Sequence, residues 1–453
     1  MKNKYLIILP FLIIVFTSCQ KKTDTTVPDI STEVVHPEWI KNATMYEVNI
    51  RQYTPEGTFN SFSSHLPRLK ELGVDILWLM PVHPIGEINR KGSLGSYYSV
   101  MDYRKINPEF GTMEDFKTIV KMTHDLGMYM IIDWVPNHSS WDNPLIIQHP
   151  DWYAKDSLGN MYSPFDWTDV VQFDYDQQGL RDYMTETLEF WLNETGLDGF
   201  RFDVAHQVPV DFWEQLRPAL LKDHPEVLML AEAEKRELHE KAFDITYAWE
   251  FHHIMNEVPQ QKKTVADINK YLESAAKDYN TNDIRLYFTS NHDENCWNGT
   301  VRERMGDAAE VMAVVTYGLP GMPLIYSGQE AGLDHRLLFF EKDEIQWKDH
   351  PFNAVYTRLN TLKQDNPALW NPGFGGELVK ITSDKPDQVL SFIRKKGENE
   401  VLFILNLSPQ PIEFSISSFP EPEVFTDAFS GETTSLDKPE FNFEAWGYKI
   451  YYR

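Results

Sequence analysis

The sequence predicts a (β/α)8 barrel that carries a small insertion and is followed by a C-terminal antiparallel β-sandwich domain. Apolar runs of strand length recur eight times between residues 45 and 327, and segments with helical periodicity separate them. Most of these runs are almost continuously apolar, which is typical of parallel strands covered on both faces. After residue 373, short strand-like runs alternate with turn residues, which indicates a separate β domain.

The predicted barrel strands are Met45–Ile50, Ile76–Val82, Tyr129–Val135, Gly199–Ala205, Val227–Glu232, Ile245–Trp249, Ile284–Ser290 and Met322–Ser327. Apolar side chains share helix faces at Phe62, Leu66 and Leu69, at Phe116, Ile119 and Val120, and at Tyr183, Met184, Leu188 and Trp191. Asp211, with Glu214 three residues later, predicts a helix start with a capping partner. A doubly wound open sheet is the alternative, but no G-x-G-x-x-G motif follows the first strand.

The domain boundaries follow from these elements. The barrel is predicted over residues 39–372 and the C-terminal domain over residues 373–453. Two connections inside the barrel are long, at residues 84–111 and 139–178. The second is rich in Trp, Tyr, Asp and Pro, and it predicts a small subdomain inserted after the third strand.

The N-terminus has the pattern of a processing signal. Lys2 and Lys4 precede a short apolar run, which the small residues Thr17 and Ser18 separate from Cys19. Residues 1–18 are therefore interpreted as a lipoprotein-type signal peptide, Cys19 as the lipidated residue and residues 19–38 as a flexible tether. This predicts an exported, membrane-anchored protein in the periplasm or at the cell surface. The alternative is an ordinary secretory signal with an incidental cysteine, since Phe16 occupies a position where leucine is usual.

Composition excludes several functional classes. The formal net charge is −26 with a pI near 4.9, which argues against a nucleic-acid partner. The two cysteines, Cys19 and Cys296, exclude a disulfide framework and a multi-cysteine metal site. The acidic balance suits a protein that acts on a neutral ligand, and no organic cofactor is expected.

Polar residues concentrate where the predicted strands end. In a barrel these ends meet at one face, where the functional groups lie. Strands three, four, five and seven carry such residues: Asp133, Asn137 and His138; Arg201, Asp203 and His206; Glu232; Asn291, His292 and Asp293. One buried polar residue is usually structural, but four such groups at one face are harder to explain by structure alone.

The three carboxylates Asp203, Glu232 and Asp293 suggest the chemistry of glycoside hydrolysis. That reaction needs one carboxylate that attacks carbon and one carboxylic acid whose pKa is raised. Arg201 lies two residues before Asp203 on the same side of the strand, so its charge is expected to keep Asp203 ionised. Glu232 ends an apolar strand, where poor solvation favours its protonated form.

Several motifs together make residues 40–453 resemble the α-amylase family of glycoside hydrolases. They are DWVPNH at Asp133–His138, GFRFDVAH at Gly199–His206, LAE at Leu230–Glu232, FTSNHDE at Phe288–Glu294, MYEVNIRQY near Tyr46, SYYSVMDY around Tyr98 and GMPLIYSGQE at Gly321–Glu330. Each motif alone is moderate evidence, but their order and their positions on the predicted strands make the resemblance specific.

The resemblance implies a retaining enzyme that cleaves α-1,4-glucosidic bonds in starch, maltodextrins or related α-glucans. Asp203 would be the nucleophile, Glu232 the acid/base, at about 5–5.5 Å from it, and Asp293 the carboxylate that assists distortion of the sugar. The residues expected to contact the sugar are Tyr98, by stacking, and His138, Arg201, His206 and His292, by polar contacts.

The resemblance also implies calcium as a structural ion. Asn137 and Asp174 match ligand positions of the family, and both offer hard oxygens. Gln207, after His206, stands where calcium-binding members of the family often have histidine. In those members the backbone carbonyl of this residue is the ligand, so a different side chain is tolerable. An ion at this place would join the barrel to the insertion.

Other interpretations stay open at this point. Glu234 has the strand parity of Glu232, the histidines could be structural, Trp141 is undecided between core and rim, and Glu330 is expected to be structural. The functional alternatives are a transglycosylase of the same family and a catalytically silent α-glucan-binding protein, which would be expected to lack a catalytic carboxylate. A metal-dependent barrel enzyme is disfavoured because no carboxylate–histidine set clusters around Asp203.

Overall fold

The computed structural model describes residues 34–416, 424–436 and 440–453. The predicted signal peptide, Cys19 and most of the predicted tether lie outside these residues. Residues 34–38, the end of that tether, are described, and they pack on the barrel. His36 Nδ1 lies 2.9 Å from Asp244 Oδ1, and Asn282 Nδ2 donates to the carbonyl of Val34 at 3.0 Å. No helix of the described part is long and apolar enough to cross a membrane.

The described strands, in chain order, are β1 (Met45–Val48), β2 (Ile76–Leu79), β3 (Tyr129–Trp134), β4 (His138–Ser140), β5 (Val170–Gln172), β6 (Gly199–Phe202), β7 (Leu228–Ala231), β8 (Ile245–Tyr247), β9 (Ile284–Phe288), β10 (Met322–Tyr326), β11 (Glu377–Ile381), β12 (Val389–Lys396), β13 (Asn399–Asn406), β14 (Ile412–Ser415), β15 (Val424–Asp427), β16 (Thr433–Ser435), β17 (Glu440–Phe443) and β18 (Tyr448–Tyr452). Eight of them form a closed parallel barrel in the order β1-β10-β9-β8-β7-β6-β3-β2. The predicted barrel is thereby confirmed, and each strand ends one to three residues before its predicted end.

The described α-helices are α1 (Ile50–Tyr53), α2 (Phe59–Ser63), α3 (Leu66–Leu72), α4 (Met113–Asp125), α5 (Leu145–Gln148), α6 (Gln178–Thr195), α7 (Val210–Asp223), α8 (Glu237–Lys241), α9 (Trp249–Glu257), α10 (Val265–Asp278), α11 (Val301–Met305), α12 (Ala309–Gly318) and α13 (Pro351–Asp365). The capping role predicted for Asp211 is wrong. Helix α7 begins one residue earlier with Pro209 at its N-cap, and no side chain caps it. Asp211 lies in the first turn and instead accepts a hydrogen bond from Arg181.

The barrel strands alternate between two apolar environments. Outward side chains such as Tyr46 and Phe200 pack under the helices, whereas inward ones such as Met45 and Leu228 fill the centre of the barrel. The same alternation leaves inward positions at the C-terminal ends of the strands for polar residues. Arg201 on β6 is one of these, and it is completely buried.

The C-terminal domain is a six-stranded antiparallel sheet of order β11-β12-β13-β18-β15-β16. Its two faces separate by strand periodicity. Phe392 and Phe403 belong to the apolar cluster shared with the barrel, whereas Leu402 and Ile404 pack with Phe414 of the two-stranded β14–β17 sheet. The structure therefore confirms an antiparallel sheet domain, with its second layer reduced to two strands.

Candidate active site

A cleft of about 440 Å³ opens at the C-terminal ends of the barrel strands. Its described lining is Lys91, Ser96, Tyr98, His138, Asp166, Trp167, Asp169, Val170, Asp203, Val204, Glu232, His292, Asp293, Trp297, Phe339 and Phe340. Six of the predicted site residues are thus brought together. The six are Tyr98, His138, Asp203, Glu232, His292 and Asp293.

Arg201 joins the acids of the cleft. Its Nη1 atom donates to both oxygens of Asp133 at 2.9 and 3.0 Å and to Asp203 Oδ1 at 3.0 Å. Its Nη2 atom lies 2.9 Å from Glu232 Oε2, and its Nε atom donates to the Tyr247 hydroxyl at 3.3 Å. One guanidinium therefore faces three carboxylates, and two of these, Asp203 and Glu232, reach the cleft.

The electrostatics of Asp203 differ from the expectation. Burial and the neighbouring carboxylate of Glu232 raise the pKa of Asp203 well above its ordinary value, and the charge of Arg201 does not compensate for them. The prediction that the charge of Arg201 keeps Asp203 ionised is therefore wrong, because burial and Glu232 together outweigh it. The carboxylate of Glu232 thus disfavours a second negative charge on Asp203.

The backbone of Val204 fixes the position of Glu232. Val204 has a φ of 36° and a ψ of 44°, a left-handed conformation that is costly for a β-branched residue. In this conformation its N–H donates to Glu232 Oε2 at 2.7 Å. The turn that follows Asp203 thus holds the second carboxylate against the first.

His292 lies between two acids and an aromatic ring. Its Nδ1 atom is 2.5 Å from Glu47 Oε1, and its Nε2 atom is 2.8 Å from the Tyr98 hydroxyl and 3.4 Å from Asp293 Oδ2. Burial alone would lower the pKa of His292, but the carboxylates of Asp293 and Glu47 raise it to about 9. The Tyr98 hydroxyl also donates to Asp133 Oδ2 at 3.0 Å, and its ring stacks on the imidazole at 5.4 Å.

His138 differs from His292 in its charge. It is buried, and burial lowers its pKa to about 3, so its ring is neutral at physiological pH. Its Nδ1 atom lies 3.2 Å from Asn137 Nδ2, and its ring packs edge-on against Trp167 at 5.4 Å. A neutral imidazole at the cleft wall can accept or donate a hydrogen bond.

The two other acids near the strand ends, Glu234 and Glu330, do not line the described cleft. Glu234 forms an ion pair with Arg285 and accepts the N–H of Glu250, so it does not compete with Glu232. Glu330 accepts hydrogen bonds from Tyr46 and Arg68 inside the barrel wall, which is a structural arrangement.

His206 and Trp141 are not among the described residues that line the cleft. His206 is exposed on the turn after β6, and Trp141 Nε1 donates to a backbone carbonyl in the insertion at 3.0 Å. A sugar contact by His206 stays a prediction.

The sequence reasoning missed an aromatic rim, two acids of the inserted segment (Asp166 and Asp169), and Glu47 on β1. Trp297, Phe339 and Phe340 form a cluster at the mouth of the cleft, with ring centroids 5.1–5.8 Å apart, and Trp297 is 53% exposed. Trp297 lies in the short π-helical turn Glu294–Asn298, and Phe339 and Phe340 lie on the loop after β10, so no long periodic pattern indicates them. Glu47 could have been found, because it is a charged residue in an apolar strand, the signal that identified Asp203 and Glu232.

Three loops meet around the cleft. In the connection after β2, Lys91 Nζ lies 3.2 Å from Asp169 Oδ1 of the inserted segment, and the N–H of Leu94 donates to the carbonyl of Phe340 at 3.0 Å. The N–H of Ser93 also donates to Glu341 Oε1 at 2.9 Å. These contacts tie together the loops that follow β2, β3 and β10.

The predicted calcium ligands do not fit a cation as they are placed. Asn137 Oδ1 accepts a hydrogen bond from Gln172 Nε2 at 2.8 Å, so a donor occupies the oxygen that would face the ion. Both carboxylate oxygens of Asp174 accept hydrogen bonds, from the N–H of Asp176 and from Gln177 Nε2. Within the described ranges, no group of three acidic, histidine or cysteine residues could hold a metal ion. Calcium binding stays a prediction that this arrangement does not favour.

Two family models and a solved structure match this chain. The family model described as "Alpha amylase, catalytic domain" matches residues 20–375, and "Maltogenic Amylase, C-terminal domain" matches residues 379–450. A solved structure of a maltogenic alpha-amylase from Thermotoga neapolitana is 29% identical, with a TM-score of 0.83 over 91% of this chain and 99% of that chain.

Two curated relatives differ in their named activities. The alpha-amylase MalA of Haloarcula japonica is 26% identical over 87% of this chain and 59% of its own length. An alpha-1,4-glucan:maltose-1-phosphate maltosyltransferase of Picrophilus torridus is 27% identical over 87% of this chain and 65% of its own length. This chain thus spans less than two thirds of either relative.

Proposed function

Because the chain belongs to the α-amylase family of glycoside hydrolases, we propose that it hydrolyses α-1,4-glucosidic bonds in maltodextrins and related α-glucans with retention of configuration. The observation that carries this proposal is the placement of Asp203, Glu232 and Asp293 in one cleft, with the first two against the same guanidinium. A sugar-binding protein without activity has no need of this arrangement of acids.

The proposed reaction has two displacements. An oxygen of Asp203 attacks the anomeric carbon while the bond to the leaving oxygen breaks, and Glu232 gives its proton to that oxygen. Glu232 then takes a proton from water, whose oxygen attacks the same carbon and releases Asp203 as a carboxylate. The reaction requires Asp203 as a carboxylate and Glu232 as the proton donor, and a glycosidic oxygen that accepts a hydrogen bond from Glu232 would favour that state.

The other cleft residues would bind and orient the reacting sugar. Asp293 can accept hydrogen bonds from sugar hydroxyls, and these bonds strengthen as positive charge develops on the ring. The Tyr98 ring offers a stacking face at the floor of the cleft. Arg201 holds Asp203 so that its free oxygen faces the cleft.

Transfer of sugar from a phosphorylated donor is the second candidate, suggested by the maltosyltransferase relative. Five carboxylates are among the described residues that line the cleft. Lys91 is the one lysine among these residues, and it is already paired with Asp169. A phosphate group would therefore enter a negative field. This electrostatic argument favours neutral glucans over a sugar phosphate.

Product chromatography tests the proposal directly. The protein would be incubated with maltoheptaose, starch, pullulan and cyclodextrin, and separately with maltose 1-phosphate plus maltohexaose. Shorter maltooligosaccharides in the α-configuration are the expected products of the first set. Chain extension from maltose 1-phosphate, or release of β-anomers, would contradict the proposal.

We also propose export and anchoring through a lipid on Cys19, on the strength of the N-terminal sequence pattern. Incorporation of labelled palmitate into the wild-type protein, and its loss in Cys19→Ser, is the expected result. A mature protein without label would contradict this anchoring.

A further inference from the structure

Glu47 on β1 is a completely buried carboxylate in the wall of the barrel. Its Oε1 atom lies 2.5 Å from His292 Nδ1, and its Oε2 atom has no hydrogen-bond partner. Within the described part of the chain, Glu47 forms an ion pair with His292 and with no lysine or arginine. A buried carboxylate is costly unless a positive partner compensates for it, and His292 is the group placed to do so.

His292 faces charged groups from several elements. Glu47 lies against it from β1, and Asp293 from the next position in the sequence. The Tyr98 hydroxyl reaches it from the connection after β2. Arg201 on β6 carries a positive charge, which disfavours a second positive charge on His292. Both ring nitrogens lie against oxygen atoms, so both can donate at once only if the ring is an imidazolium.

The contacts continue from His292 to Arg201. If His292 Nε2 donates to the Tyr98 hydroxyl, that hydroxyl donates to Asp133, and Asp133 accepts from Arg201. The donors converge on Asp133, from the ring that pairs with Glu47 by way of the Tyr98 hydroxyl, and from the guanidinium of Arg201. A neutral His292 would leave the direction of the Tyr98 hydroxyl undetermined.

We propose that Glu47 is a positioning residue that keeps His292 doubly protonated, and thereby orients Tyr98 and presents an imidazolium to the sugar in the cleft. The part that concerns the sugar rests on the proposed hydrolase function. The part that concerns the charge of His292 does not, because it applies to the enzyme without substrate. Loss of Glu47 removes one of the two carboxylates that raise the pKa of His292, so its proton should be lost at lower pH.

The first experiment measures the charge itself. The protein would be labelled with [15N]histidine, His292 assigned from the spectrum of His292→Asn, and the ring nitrogens titrated from pH 5 to 10. The expected result is an imidazolium at pH 7 in the wild type, and a midpoint lower by one pH unit or more in Glu47→Gln. A neutral ring at pH 7 in the wild type, or equal midpoints in the two proteins, would overturn the proposal. If the variant fails to fold, the wild-type titration still shows whether His292 is an imidazolium at pH 7.

The second experiment measures kcat and KM on maltoheptaose against pH. Glu47→Gln is expected to lose about tenfold in kcat, a magnitude typical of a positioned charge, and its alkaline limb should move to lower pH. Glu330→Gln is the matched control, because Glu330 is also buried in the barrel wall but pairs with Arg68. An alkaline limb that moves equally in both variants would contradict the proposal. A wild type that releases no sugar would instead refute the hydrolase function, while the titration of His292 would still stand.

Discussion

Arg201 is the residue that joins three carboxylates of the candidate site. Its Nη1 atom donates to Asp133 and Asp203, and its Nη2 atom lies 2.9 Å from Glu232 as an ion pair, so one planar cation faces all three acids. A lysine at this position would supply one charged atom and could not reach all three acids in these geometries. The arrangement explains why a guanidinium is buried inside the barrel.

Substitution of the two reacting acids should separate their roles. Asp203→Asn is expected to lose on the order of 10³-fold or more in kcat on both maltoheptaose and α-maltosyl fluoride, because it removes the nucleophile. Glu232→Gln should lose a comparable factor on maltoheptaose but far less in the first step on the fluoride, whose leaving group needs little protonation. Stopped-flow measurement of fluoride release checks this.

The matched control for Glu232 is Glu234→Gln, which removes an acid two residues away that lies outside the described cleft lining. Its kcat is expected to stay within about threefold of the wild type. If Glu234→Gln lost as much as Glu232→Gln, the assignment of the acid/base would fail.

Asp133 should influence the acid limb of the pH profile. Its charge contributes to the raised pKa of Asp203, after burial and Glu232. In Asp133→Asn the pKa of Asp203 should fall, so the ionised nucleophile should persist to lower pH and the acid limb of kcat/KM should move down. Hydrolysis of maltoheptaose from pH 3 to 8 measures this. A limb that stays or moves up would be inconsistent with the electrostatic account.

The sequence predicted the strand-end residues and missed the rim for a physical reason. Asp203 and Glu232 interrupt or end apolar strands, and a closed barrel brings all such ends to one face. The positions of Trp297 and Phe339 depend on how the segments after β9 and β10 fold against each other, which no local periodicity encodes. The pKa of Asp203 was also beyond the sequence, because it depends on its distance to Glu232.

At the level of elements, all eight barrel strands were predictable because most of the runs are almost continuously apolar. Their ends were less predictable, because the last one to three residues of each predicted run lie beyond the strand. Gln172 at the end of β5 shows how a loop is held. Its side-chain amide binds Asn137, which follows β3, and this contact joins the insertion to the barrel.

This amide contact predicts the response to chelators. Because Gln172 already satisfies Asn137, EDTA should leave the Tm unchanged, whereas Gln172→Ala should lower the free energy of unfolding by about 1 kcal/mol. Thermal unfolding in EDTA and in calcium chloride, for both proteins, measures this. A Tm that rises by several degrees with calcium in the wild type would show that the loop rearranges around an ion.

At the scale of the whole molecule, the sheet domain stabilises the barrel through one apolar face. Gly318, at the end of α12, has no room for a side chain, since a Cβ there would lie 2.7 Å from Phe392 Cζ. Arg394 Nη1 donates to the carbonyl of the same glycine at 3.0 Å. The two domains are therefore packed to contact along β12.

Phe392→Ala tests this packing. It removes a ring that stacks on Phe403 at 5.0 Å and contacts the barrel, so the free energy of unfolding should fall by about 3–5 kcal/mol. Phe441→Ala, on the two-stranded sheet, should cost less because its side chain is only partly buried. Urea denaturation of both variants measures the difference. Equal losses would mean that the interface contributes little.

The shared guanidinium of Arg201 has a consequence for any attempt to retune the pH optimum. Asp133 and Asp203 both pair with it, and the charge of Asp133 raises the pKa of Asp203, so a change at one of these acids alters the other. Paired substitutions in this set should be strongly non-additive, in contrast to changes on the distant sheet. Variation of the optimum is therefore expected to arise by coordinated replacement of neighbours, because isolated changes would disturb every member at once.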